Sequence, residues 1–376
     1  MKLLFHLAST AVPGGSVRVL CNKLCWFARK GGYELLVVTT DQKGQKPYYD
    51  FPKEVRMIDL GINYWDDYSL NPIKRILSTA RKRRLHRKRL AAVLRQERPD
   101  VTLVHYPTEA WVAATIRDGS KKMMEFHTSR YSRMQAGHRG LHRYMAAFRT
   151  WNDMRIAKKF QKVIVLTQED AAQWGNMPGL CVIPDAVQPT ALRAHPAQSR
   201  TVIAAGRLIP IKGFDKLLEA WSLLPPETRA GWKLKIFGEG MLEETLKQQI
   251  VQSGLQESAS ICPATPHIFE EYAQSAFLVM TSRYEGFGMV MVEGMSVGLP
   301  AISFAFKCGP RDIIRNGENG YLVPPGDVQA LADAMALLMK DDRLREALSA
   351  GALETADRFM EDNIMKQWED LFNERS

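Results

Sequence analysis

Short apolar runs alternate along the chain with longer segments whose apolar residues recur at helical spacing. This alternation is typical of βα units around a parallel sheet. Several runs are apolar and β-branched on both faces, as expected of strands that helices cover on both sides. The predicted strands of the first half are 2–8, 34–40, 55–60, 101–105, 121–127, 162–166 and 181–184. Those of the second half are 201–205, 233–237, 276–281, 301–304 and 320–323.

A proline-containing connection from Pro184 to Thr190, followed by polar residues up to Arg200, separates the two halves. The chain has 376 residues, and domains usually hold about 100–200, so two domains are expected. We place the boundary near residue 190 and predict a doubly wound α/β domain on each side. Ligands of such folds bind at the carboxyl ends of the strands, here in a cleft between the domains. Apolar residues at helical spacing predict a final helix within residues 359–372.

A glycine-rich turn, Pro13-Gly14-Gly15-Ser16, lies between the first predicted strand and a helical pattern over residues 17–29. Glycines let the backbone come close to a ligand, and the free N–H groups of a helix start suit a phosphate. The alternative is an ordinary strand-to-helix turn with Ser16 as the N-cap. Because the third glycine of the dinucleotide fingerprint is missing, both interpretations stay open.

A second loop follows the predicted strand 201–205 and carries two cations, Arg207 and Lys212, between Gly206 and Gly213. A guanidinium offers a planar fork of donors to a phosphate, and an ammonium offers a compact charge. Together they would neutralise a diphosphate leaving group. A solvated basic turn is the alternative, and this loop taken alone favours that alternative.

The segment from Glu285 to Glu293 follows the predicted strand 276–281. Gly286 and Gly288 are poor helix formers and mark a loop before a helix that begins at Met289. The first carboxylate then lies in the loop, and the second about two turns into the helix. Two carboxylates so placed suit hydroxyl groups at two ends of one ligand, while the amides at the helix start face an anion. The alternative is a helix-terminus charge at Glu285 and an exposed Glu293.

A histidine, His127, ends the predicted strand 121–127. At the carboxyl end of a strand it would point into the expected cleft, where an imidazole can polarise or orient a substrate hydroxyl. A strand-end histidine that is satisfied by the backbone is an equally good interpretation.

The net charge of +10 indicates an anionic partner. The basic stretch that begins at Lys74 and ends at Arg98 is opposed only by Glu97, and five residues could form an apolar stripe along it: Leu77, Leu85, Leu90, Val93 and Leu94. A basic amphipathic helix suits an anionic membrane surface. Nucleic acid is not expected, because no aromatic residues interleave with the charges. A solvated helix face remains the bland alternative.

Several chemistries lack their motif. The sequence has no Asp-x-Asp pair, no phosphate-binding loop of the nucleoside triphosphatases and no Gly-x-Ser-x-Gly elbow, so we expect neither a metal nor a cofactor. Five scattered cysteines predict free thiols in a reducing cytoplasm. The first residues predict a buried strand rather than a signal peptide, and no apolar run is long enough to span a bilayer.

In combination these motifs resemble the family-4 retaining glycosyltransferases, which have the GT-B fold of two doubly wound Rossmann-like α/β domains with a cleft between them. The resemblance rests on Glu285 and Glu293 in EGFGMVMVE, on Gly14-Gly15 with Arg18, on Gly206-Arg207 with Lys212-Gly213, and on the segments Gly298-Leu299-Pro300, Gly309-Pro310-Arg311-Asp312-Ile313-Ile314 and Asn319-Gly320-Tyr321-Leu322-Val323. No single piece is specific, but their combination in this order is.

The resemblance implies a role for each matching position. Arg207 and Lys212 would stabilise the departing diphosphate, Glu293 would hold the donor ribose, and Glu285 would contact the transferred sugar, as would His127. Pro263 would lie in a turn that contacts the base. The implied catalytic residues are His127, Arg207, Lys212 and Glu285. The implied donor-binding residues are Gly14, Gly15, Arg207, Lys212, Pro263, Glu285, Gly286, Phe287, Gly288, Met289 and Glu293.

The family's domain plan implies an acceptor-side domain at 1–189, a nucleotide-sugar-binding domain at 190–357 and a final helix, 358–376, that packs back on the first domain. The expected enzyme is a retaining, metal-independent hexosyltransferase of bacterial surface-polysaccharide type, cytoplasmic and peripherally associated with the inner face of the membrane. The expected donor is a UDP-hexose or UDP-N-acetylhexosamine, and the expected acceptor is a lipid-linked or other saccharide. The alternatives are a sugar-nucleotide epimerase of the same fold and a non-enzymatic anion- or RNA-binding protein.

Overall fold

The structure is a computed structural model that describes residues 1–12, 14–135 and 140–374. The chain divides into two compact units. Unit 1 comprises Met1–Leu166, Ala171–Ile183 and Met365–Ser376, and unit 2 comprises Thr167–Asp170 and Pro184–Ile364. The limits 1–189, 190–357 and 358–376 remain predictions for the functional domains.

The sheet of unit 1 has seven parallel strands: β1 (Lys2–Leu7), β2 (Glu34–Thr39), β3 (Arg56–Asp59), β4 (Val101–His105), β5 (Lys121–Glu125), β6 (Lys162–Val165) and β7 (Leu180–Val182). Their order is β3-β2-β1-β4-β5-β6-β7. The helices along this part of the chain are α1 (Gly15–Lys30), α2 (Pro72–Glu97), α3 (Thr108–Ala113), α4 (Ser132–Gln135), α5 (Leu141–Ala157) and α6 (Gln168–Trp174). A 3-10 helix at Tyr64–Ser69 precedes α2.

The sheet of unit 2 has six parallel strands: β8 (Thr201–Ala205), β9 (Lys233–Phe237), β10 (Ala259–Cys262), β11 (Phe277–Met280), β12 (Ala301–Phe304) and β13 (Gly320–Val323). Their order is β10-β9-β8-β11-β12-β13. The helices along this part of the chain are α7 (Phe214–Leu223), α8 (Pro226–Arg229), α9 (Glu243–Gln252), α10 (Ile268–Ala273), α11 (Met289–Ser296), α12 (Pro310–Ile313), α13 (Val328–Lys340), α14 (Asp342–Asp357) and α15 (Glu361–Asn373). A 3-10 helix covers Pro210–Lys212.

Every strand predicted from the sequence is present, with ends that differ by at most a few residues. Strand β10 was not predicted. It lies at the edge of its sheet, where only Ala259 is buried and Ser260 is exposed, so it lacks the continuous apolar run of a central strand. Strand β5 ends at Glu125, and His127 therefore lies just beyond the strand rather than within it.

Helices cover both faces of the sheet in unit 1. On one face α2 contributes Leu90 and Leu94, and α5 contributes Ile156, to a common core with sheet residues such as Leu4. On the other face the ring of Phe27 in α1 lies 5.5 Å from that of Phe372 in α15. Double coverage explains why the central strands are apolar on both sides.

The final helix α15 confirms the prediction made from apolar spacing. Its part from Met365 onward belongs to unit 1. There Trp368 is buried against Lys23, whose Nζ lies 3.5 Å from the centre of the indole ring. Lys121 Nζ donates a hydrogen bond of 2.8 Å to the carbonyl oxygen of Leu371.

Candidate functional site

In unit 2 the strand order reverses between β8 and β11, which are neighbours in the sheet. Loops at the carboxyl ends of such a pair form the usual ligand site of an open α/β sheet. These loops carry Arg207 and Lys212 after β8, and Glu285 after β11. The sheet therefore brings together the second and third motifs of the sequence.

Lys212 and Glu285 form a direct side-chain contact between these loops. Lys212 Nζ lies 2.5 Å from Glu285 Oε1, and both side chains are mostly buried. The hydroxyl of Ser282 donates to the same carboxylate oxygen at 2.7 Å. The prediction of a merely solvated basic turn is wrong for Lys212, because its ammonium is held by a carboxylate.

The backbones of the loops after β8 and β11 also pack closely against each other. Gly213 has a φ of 65°, and a Cβ atom there would lie 2.2 Å from the carbonyl oxygen of Thr281. The hydroxyl of Thr281 donates to the carbonyl oxygen of Lys212 at 3.1 Å. Only glycine satisfies both the left-handed conformation and the close approach.

Helix α11 begins at Met289, as predicted, with Gly288 as an N-cap that makes no side-chain hydrogen bond. Its first turn holds no acidic residue, so the start of the helix presents amide groups that suit an anion. The Phe287 side chain is buried, so only its backbone can take part in binding. Gly309 packs so closely on this loop that a Cβ atom there would lie 2.0 Å from the carbonyl oxygen of Phe287.

Glu293 is the fifth residue of α11 and lies just over one turn into it, not two turns as the sequence pattern indicated. Its side chain is buried, with 4% of the residue exposed. The alternative of an exposed Glu293 is therefore wrong. Arg207 and Pro263 are both exposed. Pro263 follows β10, two strands from β8 at the same edge of the sheet.

In unit 1 the glycine loop follows β1, beside the point where the strand order reverses between β1 and β4. Gly14 is the N-cap of α1 and makes no side-chain cap, and Gly15 is the first helical residue. The alternative with Ser16 as N-cap is therefore wrong. The space beside both glycines is open, with no atom within 4 Å of an added Cβ. Pro13 lies outside the described residues.

His127 belongs to a buried cluster at the carboxyl ends of β4 and β5. His105 is the register partner of Glu125 on the neighbouring strand. Glu125 Oε2 lies 3.4 Å from His105 Nε2 and 3.5 Å from His127 Nε2. Its other oxygen, Oε1, lies 2.8 Å from Nζ of Lys23, and both side chains of that ion pair are 1% exposed. The alternative of a histidine satisfied by backbone alone does not describe this contact with a carboxylate.

The electrostatics of the cluster centre on Glu125. Burial opposes its ionisation, but Lys23 and then His127 stabilise the charged form and hold the pKa of Glu125 well below its usual range. Burial lowers the pKa of His105. The ligand atoms of His105, Glu125 and His127 all lie within 4.8 Å of one another, a set that a divalent cation could also use. The ammonium of Lys23 already balances the charge of the Glu125 carboxylate, as a bound cation would.

Sequence reasoning missed His105, Glu125 and Lys23. A signal was available for the first, because His105 ends one strand and His127 follows another, and polar residues that end neighbouring strands meet at one edge. The separation of 102 residues between Lys23 and Glu125 left no local pattern to find.

The basic helix predicted from Lys74 to Arg98 is present as α2. Its predicted apolar stripe is partly wrong. Leu90 and Leu94 are buried in the core, whereas Leu77 is 68% exposed and Leu85 is 37% exposed. The second half of α2 is therefore anchored in unit 1, and the first half projects apolar side chains into solvent.

Two family models match consecutive parts of the chain: Glycosyltransferase Family 4 over residues 13–190 and Glycosyl transferases group 1 over residues 191–355. The exopolysaccharide phosphotransferase SCO2592 of Streptomyces coelicolor is 35% identical over 226 residues, which are 58% of this chain and 24% of that protein. The amylovoran biosynthesis glycosyltransferase AmsD of Erwinia amylovora is 35% identical over 172 residues, which are 46% of this chain and 48% of that protein. The chain thus spans less than half the length of both relatives.

Among solved structures, a mutant of S. aureus TarM in complex with fondaparinux, alpha-GlcNAc-glycerol and UDP superposes with a TM-score of 0.78 at 16% identity, covering 99% of this chain and 100% of that one. The fold is the GT-B fold, as predicted. The two family models and this fold together place the chain among the GT-B glycosyltransferases. Among the described residues, no helix is both long and apolar enough to cross a bilayer.

Proposed function

We propose that the protein is a retaining glycosyltransferase that moves a hexose or N-acetylhexosamine from a nucleotide-diphosphate sugar to a lipid-linked or other saccharide acceptor in surface-polysaccharide synthesis. UDP is the proposed nucleotide. The observation that carries the proposal is the group formed in unit 2 by the Lys212–Glu285 pair, the open start of α11 and the buried Glu293. These groups supply a cation, an anion-binding helix start and two carboxylates on adjoining loops.

The chemistry of transfer explains why these residue types are needed. The sugar–phosphate bond breaks through an oxocarbenium-like state, and negative charge grows on the departing diphosphate. Fixed cations and amide dipoles stabilise such charge best when they are oriented in advance. Lys212 and the exposed Arg207 would supply the cations, and residues 286–289 would supply the amides.

The Lys212–Glu285 pair gives the site a defined arrangement before the donor binds. Lys212 Nζ can keep one hydrogen bond to Glu285 and direct its other protons to a phosphate, because an ammonium has three donors. The oxygen of Glu285 that does not face Lys212 can then accept from a sugar hydroxyl. Glu293 would hold the ribose hydroxyls from within α11.

We assign unit 1 the remaining contacts. The amide of Gly15 would face the diphosphate, and His127 would contact the transferred sugar. Retention is proposed to proceed by front-face attack, in which the acceptor hydroxyl bonds to the anomeric carbon as the phosphate departs and takes the hydroxyl proton. No carboxylate nucleophile and no metal are assigned.

The relatives support the sugar chemistry and the setting. AmsD is named for amylovoran biosynthesis, and the TarM structure contains UDP. Association with the inner face of an anionic membrane is proposed through the basic helix α2. A cytoplasmic location agrees with the five free cysteines.

The test is a thermal-shift screen over nucleotide sugars, followed by a transfer assay with the best donor and a lipid-linked saccharide acceptor. We expect UDP-sugars to raise the melting temperature, and the product to keep the anomeric configuration of the donor when examined by NMR. An inverted product would contradict the retaining mechanism.

Incubation with donor alone separates this proposal from the epimerase alternative, because an epimerase forms a new sugar nucleotide without acceptor. The RNA-binding alternative would require that no nucleotide sugar protects the protein against heating, and that glutamine at positions 81–84 abolishes RNA binding. The proposal would be overturned by epimerisation without acceptor, or by RNA binding of this kind in a protein that no nucleotide sugar protects.

A further inference from the structure

Helix α5 exposes three aromatic side chains on one face. Tyr144 is 76% exposed, Phe148 63% and Trp151 53%. Their spacing of four and three residues places them in one row along the helix, which we term the aromatic stripe. Exposure of this kind is uncommon, because soluble proteins rarely leave large apolar side chains together in water.

The aromatic stripe is not the face by which α5 packs on its own unit. The opposite face of α5 is already packed: Ala146, Thr150, Asp153, Ile156 and Ala157 are all buried. The hydroxyl of Thr150 donates to the carbonyl oxygen of Ala146 at 2.9 Å, and Asp153 accepts from the hydroxyl of Tyr106 at 2.5 Å. The helix is thus fixed by one face, and the aromatic stripe is left for a partner.

The charges around the aromatic stripe select an anionic partner. Arg143, Arg149 and Arg155 are exposed on the same helix, and the Arg155 guanidinium lies 4.9 Å from the centre of the Trp151 ring. The sole acidic residue within Leu141–Ala157 is Asp153, which is buried and paired with Arg133. A second copy of this chain, docked by twofold symmetry on the same face, would set arginines against arginines.

A second apolar patch lies on the same side of unit 1. Ile73, Ile76 and Leu77, in the first turns of α2, are 73%, 69% and 68% exposed. Helices α2 and α5 pack on the same face of the sheet, and each begins after the carboxyl end of a strand. Both patches therefore lie toward the carboxyl edge of the sheet, where His127 is found.

We propose that α5 is an interfacial membrane helix that inserts the aromatic stripe among the headgroups of an anionic bilayer, with the start of α2 as a second contact. Tyrosine and tryptophan favour this zone because their rings are apolar and their tips are polar. The exposed arginines of α5 would bind the anionic headgroups. Each arginine near the surface contributes about 1 kcal/mol to binding, or about fivefold in affinity. The inference rests on the proposed function in one respect: this orientation turns the carboxyl edge of unit 1 toward a lipid-linked acceptor.

Vesicle sedimentation tests the proposal with the full chain. We expect binding to vesicles that contain phosphatidylglycerol and weak binding to phosphatidylcholine alone. The variant Tyr144→Ser/Phe148→Ser/Trp151→Ser should bind anionic vesicles at least about tenfold more weakly, because three interfacial side chains are lost. Its melting temperature should equal that of the wild type, since all three are exposed. Met241→Ser, which removes an 80% exposed apolar side chain from unit 2, is the matched control and should bind normally.

Direct evidence of insertion comes from fluorescence. Vesicles with brominated acyl chains should quench the wild type, and Trp151→Phe should bind as well as the wild type but lose much of this quenching. If the triple variant is unstable, the single variants Phe148→Ser and Trp151→Ser give the same comparison. Unchanged binding by these variants, or no binding of the wild type to anionic vesicles, would overturn the proposal. So would a concentration-dependent dimer that the triple variant abolishes in light scattering.

Catalysis is measured separately with a water-soluble saccharide acceptor. The triple variant should keep wild-type rates there and lose activity toward the lipid-linked acceptor in vesicles. Unchanged vesicle binding of the triple variant, with normal activity toward the soluble acceptor, would refute this inference and leave the proposed function intact. Absence of donor turnover by the wild type in both assays would refute the proposed function instead.

Discussion

The ammonium of Lys212 lies 2.5 Å from Oε1 of Glu285, and the two residues are 73 positions apart in the sequence. The resemblance gives them separate tasks, one at the diphosphate and one at the transferred sugar. Their contact makes them one unit. The carboxylate fixes the position of the ammonium before the reaction. A charge that is already in place stabilises the transition state best, because it does not have to reorient as the leaving group departs.

Replacement of Lys212 by alanine should therefore lower kcat by about 10²–10³, the usual effect of removing one oriented donor to a developing anion. The measurement is steady-state transfer with the best donor. Lys216→Ala is the matched control, because Lys216 lies four residues further on and pairs with Glu219 at the surface. A Lys212→Ala variant with the full rate would remove this residue from the site.

Replacement of Glu293 by glutamine should weaken UDP binding. The side chain keeps its size in a buried position, but a charge-assisted hydrogen bond to a hydroxyl contributes about 1.5–3 kcal/mol, so the Kd should rise about 10–150-fold. Calorimetry with UDP alone measures this without catalysis. The exposed Glu244 in α9 provides the control Glu244→Gln. Equal affinities in both variants would place Glu293 outside the nucleotide site.

Much of the fold follows from the sequence because fully buried parallel strands need apolar residues on both faces. Strands such as β4 and β8 have the predicted bounds, and the order of motifs along the chain gave the loops that meet in unit 2. Edge strand β10 escaped prediction because only one of its four residues is buried. The start of α11 at Met289 was predicted correctly, but the depth of two turns assigned to Glu293 was wrong, because four residues make just over one turn.

Long-range contacts between polar side chains could not be predicted. A buried lysine such as Lys23 looks like a surface residue in a helical pattern until the carboxylate of Glu125 is placed opposite it. The same limit applies to α2, where closely spaced basic residues hide which leucines enter the core. Leu90 does so, and Leu77 does not.

Glu109 should make the stability of unit 1 depend on pH. Burial, followed by the nearby Asp41, raises the pKa of Glu109 to about 7. The folded state then binds a proton more tightly than the unfolded state, whose carboxyl titrates near 4.5. Stability is thus fully present below the unfolded value and falls as pH rises toward 7.

Glu109→Gln removes this titration and should melt at a higher temperature than the wild type at pH 8, by a margin that represents up to about 3 kcal/mol, and at nearly the same temperature at pH 4. Thermal unfolding followed by circular dichroism measures both. The exposed Glu227→Gln serves as the control. A difference that does not change with pH would show that the pKa of Glu109 is the same in the folded and the unfolded state.

Removal of metal ions should leave the transfer rate unchanged. The only His–Glu–His set found in the described part of the chain is His105, Glu125 and His127, and Lys23 already balances the carboxylate at 2.8 Å. A dication would add to that positive charge in a buried place. The test is activity after dialysis against EDTA, with metal analysis of the protein. Loss of activity that zinc, manganese or magnesium restores would contradict this expectation.

Glu125 should act on the reaction through His127. The variant Glu125→Gln alone should be strongly destabilised, by about 3–5 kcal/mol, because it leaves Lys23 buried without its partner. The double variant Lys23→Met/Glu125→Gln removes both charges and should regain much of that stability. It still lacks the carboxylate that lies 3.5 Å from His127 Nε2.

Loss of the carboxylate disfavours the protonated imidazole, whereas loss of the Lys23 ammonium favours it. The carboxylate should dominate, because its Oε2 faces His127 directly while Lys23 is held on the other oxygen, Oε1. If the neutral ring is the active form, the acid limb of the pH–activity profile should move to lower pH in the double variant. A purely structural role of Glu125 would lower the rate equally at every pH and leave the limb in place. Because Lys23→Met/Glu125→Gln changes no side chain expected to touch the donor, its KM for the nucleotide sugar should stay near the wild-type value while kcat and its pH dependence change.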